Sequence, residues 1–158
     1  MTEQDRLFMK RAIELAEKGM NKNDGGPFGC VVVKNGTIIA EGNNRVTSTN
    51  DPTAHAEVIA IRNACIKLNS FQLDGCTIYT SCEPCPMCLG AIYWARPDKV
   101  YYACNREDAA VIEFDDQFIY DEIGKNIGDR SIEFVRLLRE DSLSVFKKWN
   151  EKEDKTNY

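Results

Sequence analysis

Two short stretches hold the residues with the most chemistry. Pro52-Thr53-Ala54-His55-Ala56-Glu57 offers one imidazole and, two residues later, one carboxylate. Thr80-Ser81-Cys82-Glu83-Pro84-Cys85-Pro86-Met87-Cys88 offers three thiols at three-residue spacing. One imidazole and two thiolates make three ligands for a tetrahedral Zn²⁺ and leave its fourth position open to water. A carboxylate beside that water can move its protons. Among the thiols, Cys85 and Cys88 suit best. With a helix opening at Pro84 or Cys85, both sulfurs lie on one face near the positive end of the helix dipole, where a thiol ionises easily. Cys82 stands in the approach to that helix and is not expected to be a ligand. Cys30, Cys65, Cys76 and Cys104 read as buried small hydrophobes. His55 is the sole histidine. Glu57 sits among Ala54, Ala56, Val58 and Ile59, where a carboxylate needs a polar partner. As a fourth ligand it would leave no place for water, so it reads as the proton-transfer group.

The elements that must position these residues alternate between helix and strand. Apolar residues from Asp5 to Gly19 recur at helical spacing, with Gly19 as a C-cap. Phe28-Gly29-Cys30-Val31-Val32-Val33 and Thr37-Ile38-Ile39-Ala40 flank Asn35-Gly36, a strong hairpin signal. Asn43-Asn44-Arg45 is polar where the second strand should emerge. Asp51 as N-cap and Pro52 at the first helical position predict a helix to about Leu68, with His55 and Glu57 in its opening turns. Residues two apart on a helix point about 200° apart, so these two can share a site only off the helix's N-terminal end. Cys76–Thr80 and Lys99–Ala103 predict strands around a helix that Pro97 stops. Ser131–Leu138 suggests a further strand, and Ser142 to about Glu153 an amphipathic helix with Leu143, Phe146 and Trp149. Such alternation is the pattern of an α/β layer fold.

At 158 residues and 43% hydrophobic content, one domain with a real core is expected. Met1–Arg6 is charged and has no apolar signal-like run, no stretch approaches a membrane span, and three of seven cysteines fall within seven residues. These features point to a cytoplasmic metal-binding protein and away from a disulfide framework. The net charge of −5 argues against a nucleic-acid partner.

Gly25-Gly26-Pro27-Phe28-Gly29, Asn50-Asp51-Pro52-Thr53-Ala54-His55-Ala56-Glu57 and Cys82–Trp94 resemble the cytidine-deaminase-like zinc deaminases, whose known signature is H-x-E…P-C-x-x-C. Phe114-Asp115-Asp116 and the terminal Tyr158 are more similar to guanine and guanosine deaminases. The resemblance spans nearly the whole chain. It implies a three-layer α/β/α fold around a five-stranded mixed sheet, with one zinc per subunit between the two motif helices. It also implies a homodimer, in which the segment from about 140 to 158 closes the active site and is swapped between subunits. The implied reaction is hydrolytic deamination of guanine to xanthine and ammonia, on a small purine base and not on nucleic acid. Asn44, with a donor and an acceptor, and Asp116 would contact the purine edge, Phe28 its face, and Tyr158 would close the pocket. Trp94 occupies a position near the pocket in relatives, or is a core aromatic. Guanosine deamination is the nearest alternative, and deamination of adenosine in tRNA a more distant one. A structural zinc module is an alternative of another class and would need Cys82 as a fourth ligand. One position departs from the family pattern: Glu113 stands where Gly precedes Phe-Asp-Asp, and a positive φ there would strain the loop.

Overall fold

Asn35 and Gly36 both adopt positive φ, 50° and 72°, as a two-residue hairpin turn requires. They join β1 (Gly29–Lys34) to β2 (Thr37–Asn43). In the computed structural model, which describes residues 1–158, β3 (Cys76–Cys82) pairs antiparallel with β1, and β4 (Lys99–Cys104) pairs parallel with β3. The sheet is mixed, ordered β2-β1-β3-β4, with four strands where the resemblance implied five. Residues 131–138, expected as a strand, form none. An apolar run becomes a strand only when a neighbour satisfies its N–H and C=O groups, and periodicity says nothing about that neighbour.

Helices cover both faces of the sheet. On one face α1 (Glu3–Asn21) packs Leu15 against Val31, Val33 and Tyr79. It starts earlier than expected because Thr2 and Asp5 form a reciprocal capping box. Gly19 lies inside it and does not cap it. After the single turn α2 (Val46–Thr49), α3 (Ala56–Leu68) and α4 (Pro86–Ala95) cover the opposite face, where Ala60, Ala64 and Ile92 meet Val32 and Ile78. A Cβ at Gly42 would stand 2.4 Å from the Ala56 carbonyl, so a side chain there would push the start of α3 off the sheet. That start is where the metal-type ligands converge.

The chain divides into two compact units, residues 1–116 and 117–158. The first ends with α5 (Arg106–Val111). The second contains α6 (Gln117–Ile123), a 3₁₀ turn (Ile127–Asp129) and α7 (Arg139–Glu151), and none of its residues is buried.

α5 closes with Phe114 N–H donating to the Ala109 carbonyl (3.0 Å) and Glu113 N–H to that of Ala110 (3.1 Å). This is a Schellman stop, and it places Glu113 at φ 69°. The conformation a glycine would favour is therefore kept, with a Cβ strained in it. Glu113→Gly is expected to match the parent or exceed it by up to about 1 kcal/mol, because relief of the left-handed strain outweighs or balances the entropy cost of glycine. Urea denaturation checks this, and a clear loss of stability would show that the Glu113 side chain makes up for its backbone strain.

Candidate active site

Asp51 does not cap a helix. Its Oδ1 accepts from the Thr53 N–H (2.8 Å) and hydroxyl (2.7 Å), closing a turn that delays the helix to Ala56. His55 becomes the N-cap, with extended backbone at φ −70° and ψ 155°. The imidazole thus stands off the helix end while Glu57 sits in the first turn, which is how residues two apart reach one site. α4 repeats the arrangement: Cys85 is the N-cap (φ −62°, ψ 168°), Pro86 follows, and Cys88 sits in the first turn. His55 makes no side-chain cap hydrogen bond, and the Cys85 sulfur turns to Cys88 and His55. Both are left to face each other.

His55 Nδ1 lies 3.5 Å from the sulfurs of both Cys85 and Cys88, and the three donor atoms fall within 4.8 Å of one another. With Zn–S near 2.3 Å and Zn–N near 2.0 Å, a tetrahedral ion sets its N and S donors about 3.5 Å apart, so the cluster fits zinc in donor chemistry and in spacing. Cys82 is not part of it; its thiol donates to the Asn105 carbonyl at 3.5 Å. Three donors leave the open position that a closed structural site lacks. Hydrogen bonding from Cys88, helped by His55, holds Cys85 down at about 4, while sharing with Cys85 and burial push Cys88 up. The hydrogen bond to Cys85 raises His55.

Glu57 is buried, and burial raises its pKa. Its Oε1 accepts from the Thr80 hydroxyl (3.1 Å), and its Oε2 accepts from the Cys88 thiol (3.4 Å). The sequence pattern assigns no site role to Thr80 or Ser81, although two hydroxyls near the end of an apolar strand are a signal. Both are buried, and Ser81 Oγ accepts from the Gly29 N–H (3.0 Å), fixing β1 against β3.

Asn44 is buried, and the structure changes its reading. Its Oδ1 accepts from the N–H groups of Gly26 and Val46, both at 3.2 Å, so only its NH₂ remains for a ligand. Two backbone donors aimed at one atom fix which amide atom is the oxygen. Gly25 and Gly26 permit this: a Cβ at Gly25 would meet Asn44 Oδ1 at 2.1 Å, and one at Gly26 would meet Phe114 at 2.8 Å. Arg45 N–H donates to the Ala54 carbonyl (2.9 Å), which keeps Asn44 beside the residue preceding His55. Phe28 meets Phe114 edge to face, with ring centres 5.0 Å apart. Burial, then the Cys85 thiolate, raises the pKa of half-buried Asp116. Phe28, Asn44 and Asp116 therefore belong to the unit that holds the cluster, whereas Tyr158 belongs to the second unit. Trp94 is exposed and is no core aromatic.

Residues 2–104 match the zinc-binding region of cytidine and deoxycytidylate deaminases. The chain is 58% identical over 151 residues to the guanine deaminase of Bacillus subtilis, across 96% of this chain and 97% of that one. The X-ray structure of guanine deaminase from Bacillus subtilis superposes with a TM-score of 0.95 at 56% identity, covering 100% of this chain and 99% of the other. A tRNA-specific adenosine deaminase of Aquifex aeolicus is 42% identical over 106 residues, 66% of this chain and 70% of that one.

Thr80 supplies a pH test. Its hydroxyl favours the Glu57 carboxylate and so works against the burial that raises the Glu57 pKa. Thr80→Val removes the donor at nearly constant volume, so Glu57 rises further; with Glu57 as the proton-transfer group that the sequence leads one to expect, the acid limb of turnover moves to higher pH. An unmoved limb, or one moved to lower pH, would separate Glu57 from the proton transfer.

Proposed function

This chain belongs to the cytidine and deoxycytidylate deaminase family, and we propose that within it the protein is a zinc-dependent guanine deaminase, converting guanine and water to xanthine and ammonia. The observation that carries the reading is the extent of likeness. The guanine deaminase match necessarily takes in Asp116 and most of the second unit, whereas the adenosine deaminase match stops at about two thirds of the chain.

His55, Cys85 and Cys88 hold the zinc in this reading. Bound there, zinc supplies Lewis acidity that makes water a nucleophile near neutral pH. Glu57 takes the proton released as that water's oxygen bonds to C2 of guanine. It passes that proton to ring nitrogen N3, then takes the remaining proton of the new C2 hydroxyl and delivers it to the 2-amino group, so that the C2–N bond breaks as ammonia leaves and the C2 carbonyl forms. A buried carboxylate with a raised pKa suits a group that must serve as base and then as acid. The Asn44 NH₂ needs an acceptor, which the 6-oxo edge of guanine offers and the 6-amino group of adenine does not. The Asp116 carboxylate accepts from the N–H edge, and Phe28, braced by Phe114, packs on the ring face. Ammonia release from guanine, guanosine, adenine and cytosine tests the assignment. Guanine should give the highest kcat/KM, and a higher value for guanosine would transfer the reading to that nucleoside. Glu57→Gln should keep zinc and lose kcat by at least ~10²-fold; near-normal turnover would remove Glu57 from this role.

The protein is further read as a cytoplasmic homodimer whose segment from about 140 to 158, with Tyr158, closes the partner's site. No helix is long and apolar enough to cross a membrane, and all seven cysteines are unpaired. Phe118, Phe134, Leu137, Val145, Phe146 and Trp149 are exposed in a unit with no buried residue, which supports burial against a second copy. Deleting residues 155–158 should lower kcat/KM for guanine by at least about tenfold with zinc retained, since a closed site excludes water. Co-assembly of that truncated chain with Glu57→Gln chains should restore activity, because the intact tail then covers an intact Glu57. Failure to restore it would place the tail on its own chain's site.

A further inference from the structure

Cys82 is the thiol of the 82–88 run that the donor cluster leaves unused. The structure sets it directly opposite Cys104, its register partner across the parallel strands β3 and β4. No other paired position in the sheet brings two cysteines together. Neighbouring strands lie about 4.8 Å apart, inside the Cα separation of about 4.4–6.8 Å that a disulfide spans. Register partners also project to the same face. The Cys82 thiol is turned toward the end of β4, donating to the Asn105 carbonyl at 3.5 Å. Glu83 N–H donates to the Cys104 carbonyl at 2.8 Å and ties the two strand ends together just past the pair. Cys104 is exposed and Cys82 is buried.

We propose that Cys82 and Cys104 are a peroxide-responsive thiol pair, with Cys104 as the site of attack and Cys82 as the resolving thiol. The Cys104 sulfur attacks hydrogen peroxide: an S–O bond forms, the O–O bond breaks, and the leaving hydroxide takes the thiol proton as water. The Cys82 sulfur then attacks the sulfenic sulfur: the S–S bond forms, the S–O bond breaks, and a second water leaves with the Cys82 proton. Two electrons pass from the thiols to the peroxide, and any small thiol reverses the reaction by exchange. The strand spacing of about 4.8 Å exceeds the about 3.8 Å mean Cβ separation of disulfides, so closure draws the strand ends together under strain. Strained disulfides are the easily reduced, switching kind. The strand end that is pulled lies three residues before Cys85, so closure reaches the loop that holds the donor cluster and lowers turnover.

The test treats zinc-loaded full-length enzyme with stoichiometric hydrogen peroxide, blocks free thiols, and maps non-reduced peptides by tandem mass spectrometry; this readout does not depend on which purine is the substrate. The expected result is loss of two of the seven thiols per chain, a peptide joined through Cys82 and Cys104, and zinc retained. Activity should fall and return with dithiothreitol. Cys104→Ser should keep full activity before peroxide and resist its loss afterwards. The proposal is overturned by zinc release through oxidation of Cys85 or Cys88 before any crosslink. It is equally overturned by Cys104 passing to sulfinic acid with Cys82 still free, or by equal sensitivity of Cys104→Ser.

Discussion

The structure turns on three donor atoms held together before any cation arrives. His55 Nδ1 and the sulfurs of Cys85 and Cys88 crowd within 4.8 Å, at a place where burial opposes charge. Two helix N-termini make this tolerable. Each begins with a residue in extended conformation that makes no side-chain cap hydrogen bond, so the positive dipole ends of both helices lie beside the cluster. Hydrogen bonding from Cys88 holds Cys85 down, while sharing with Cys85 and burial push Cys88 up; a bound cation favours the thiolate form of both. α3 is brought to this place by close approach over Gly42, and α4 by the short exit from β3.

Glu57 depends on that arrangement and also on the sheet. A carboxylate buried among alanines and valines is held by the Thr80 hydroxyl on β3, and its other oxygen meets the Cys88 thiol. One helix, one strand and one helix N-terminus therefore meet at a single side chain. The ladder that sets β3 beside β1 is thus as much part of the site as the ligands are, and Ser81 pins that ladder at Gly29.

The groups proposed for recognition are already committed elsewhere. The oxygen of Asn44 is used up by two backbone N–H groups, which turns an ambivalent amide into a donor. The Schellman stop after α5 sends Phe114 back against Phe28 and leaves Asp116 two residues later. It does so even with Glu113 in the left-handed position. The carbonyl of buried Ala109 accepts the Phe114 N–H that closes this turn.

The sequence alone determined the chemistry: an imidazole, a carboxylate and spaced thiols in a chain with one histidine admit few other uses, and ligand identity depends on residue type. It also determined the Asn35-Gly36 hairpin, because only a few residues tolerate positive φ in succession. The tertiary structure alone decided where α3 begins, since the Asp51 carboxylate that could have capped a helix closes the turn at Thr53 and leaves His55 as the N-cap. It decided the role of Thr80, which depends on a residue 23 positions away. It set the polarity of Asn44 through two backbone donors that no local pattern announces. It also decided that residues 131–138 form no strand despite their apolar character, because a strand is a property of its neighbour as much as of itself.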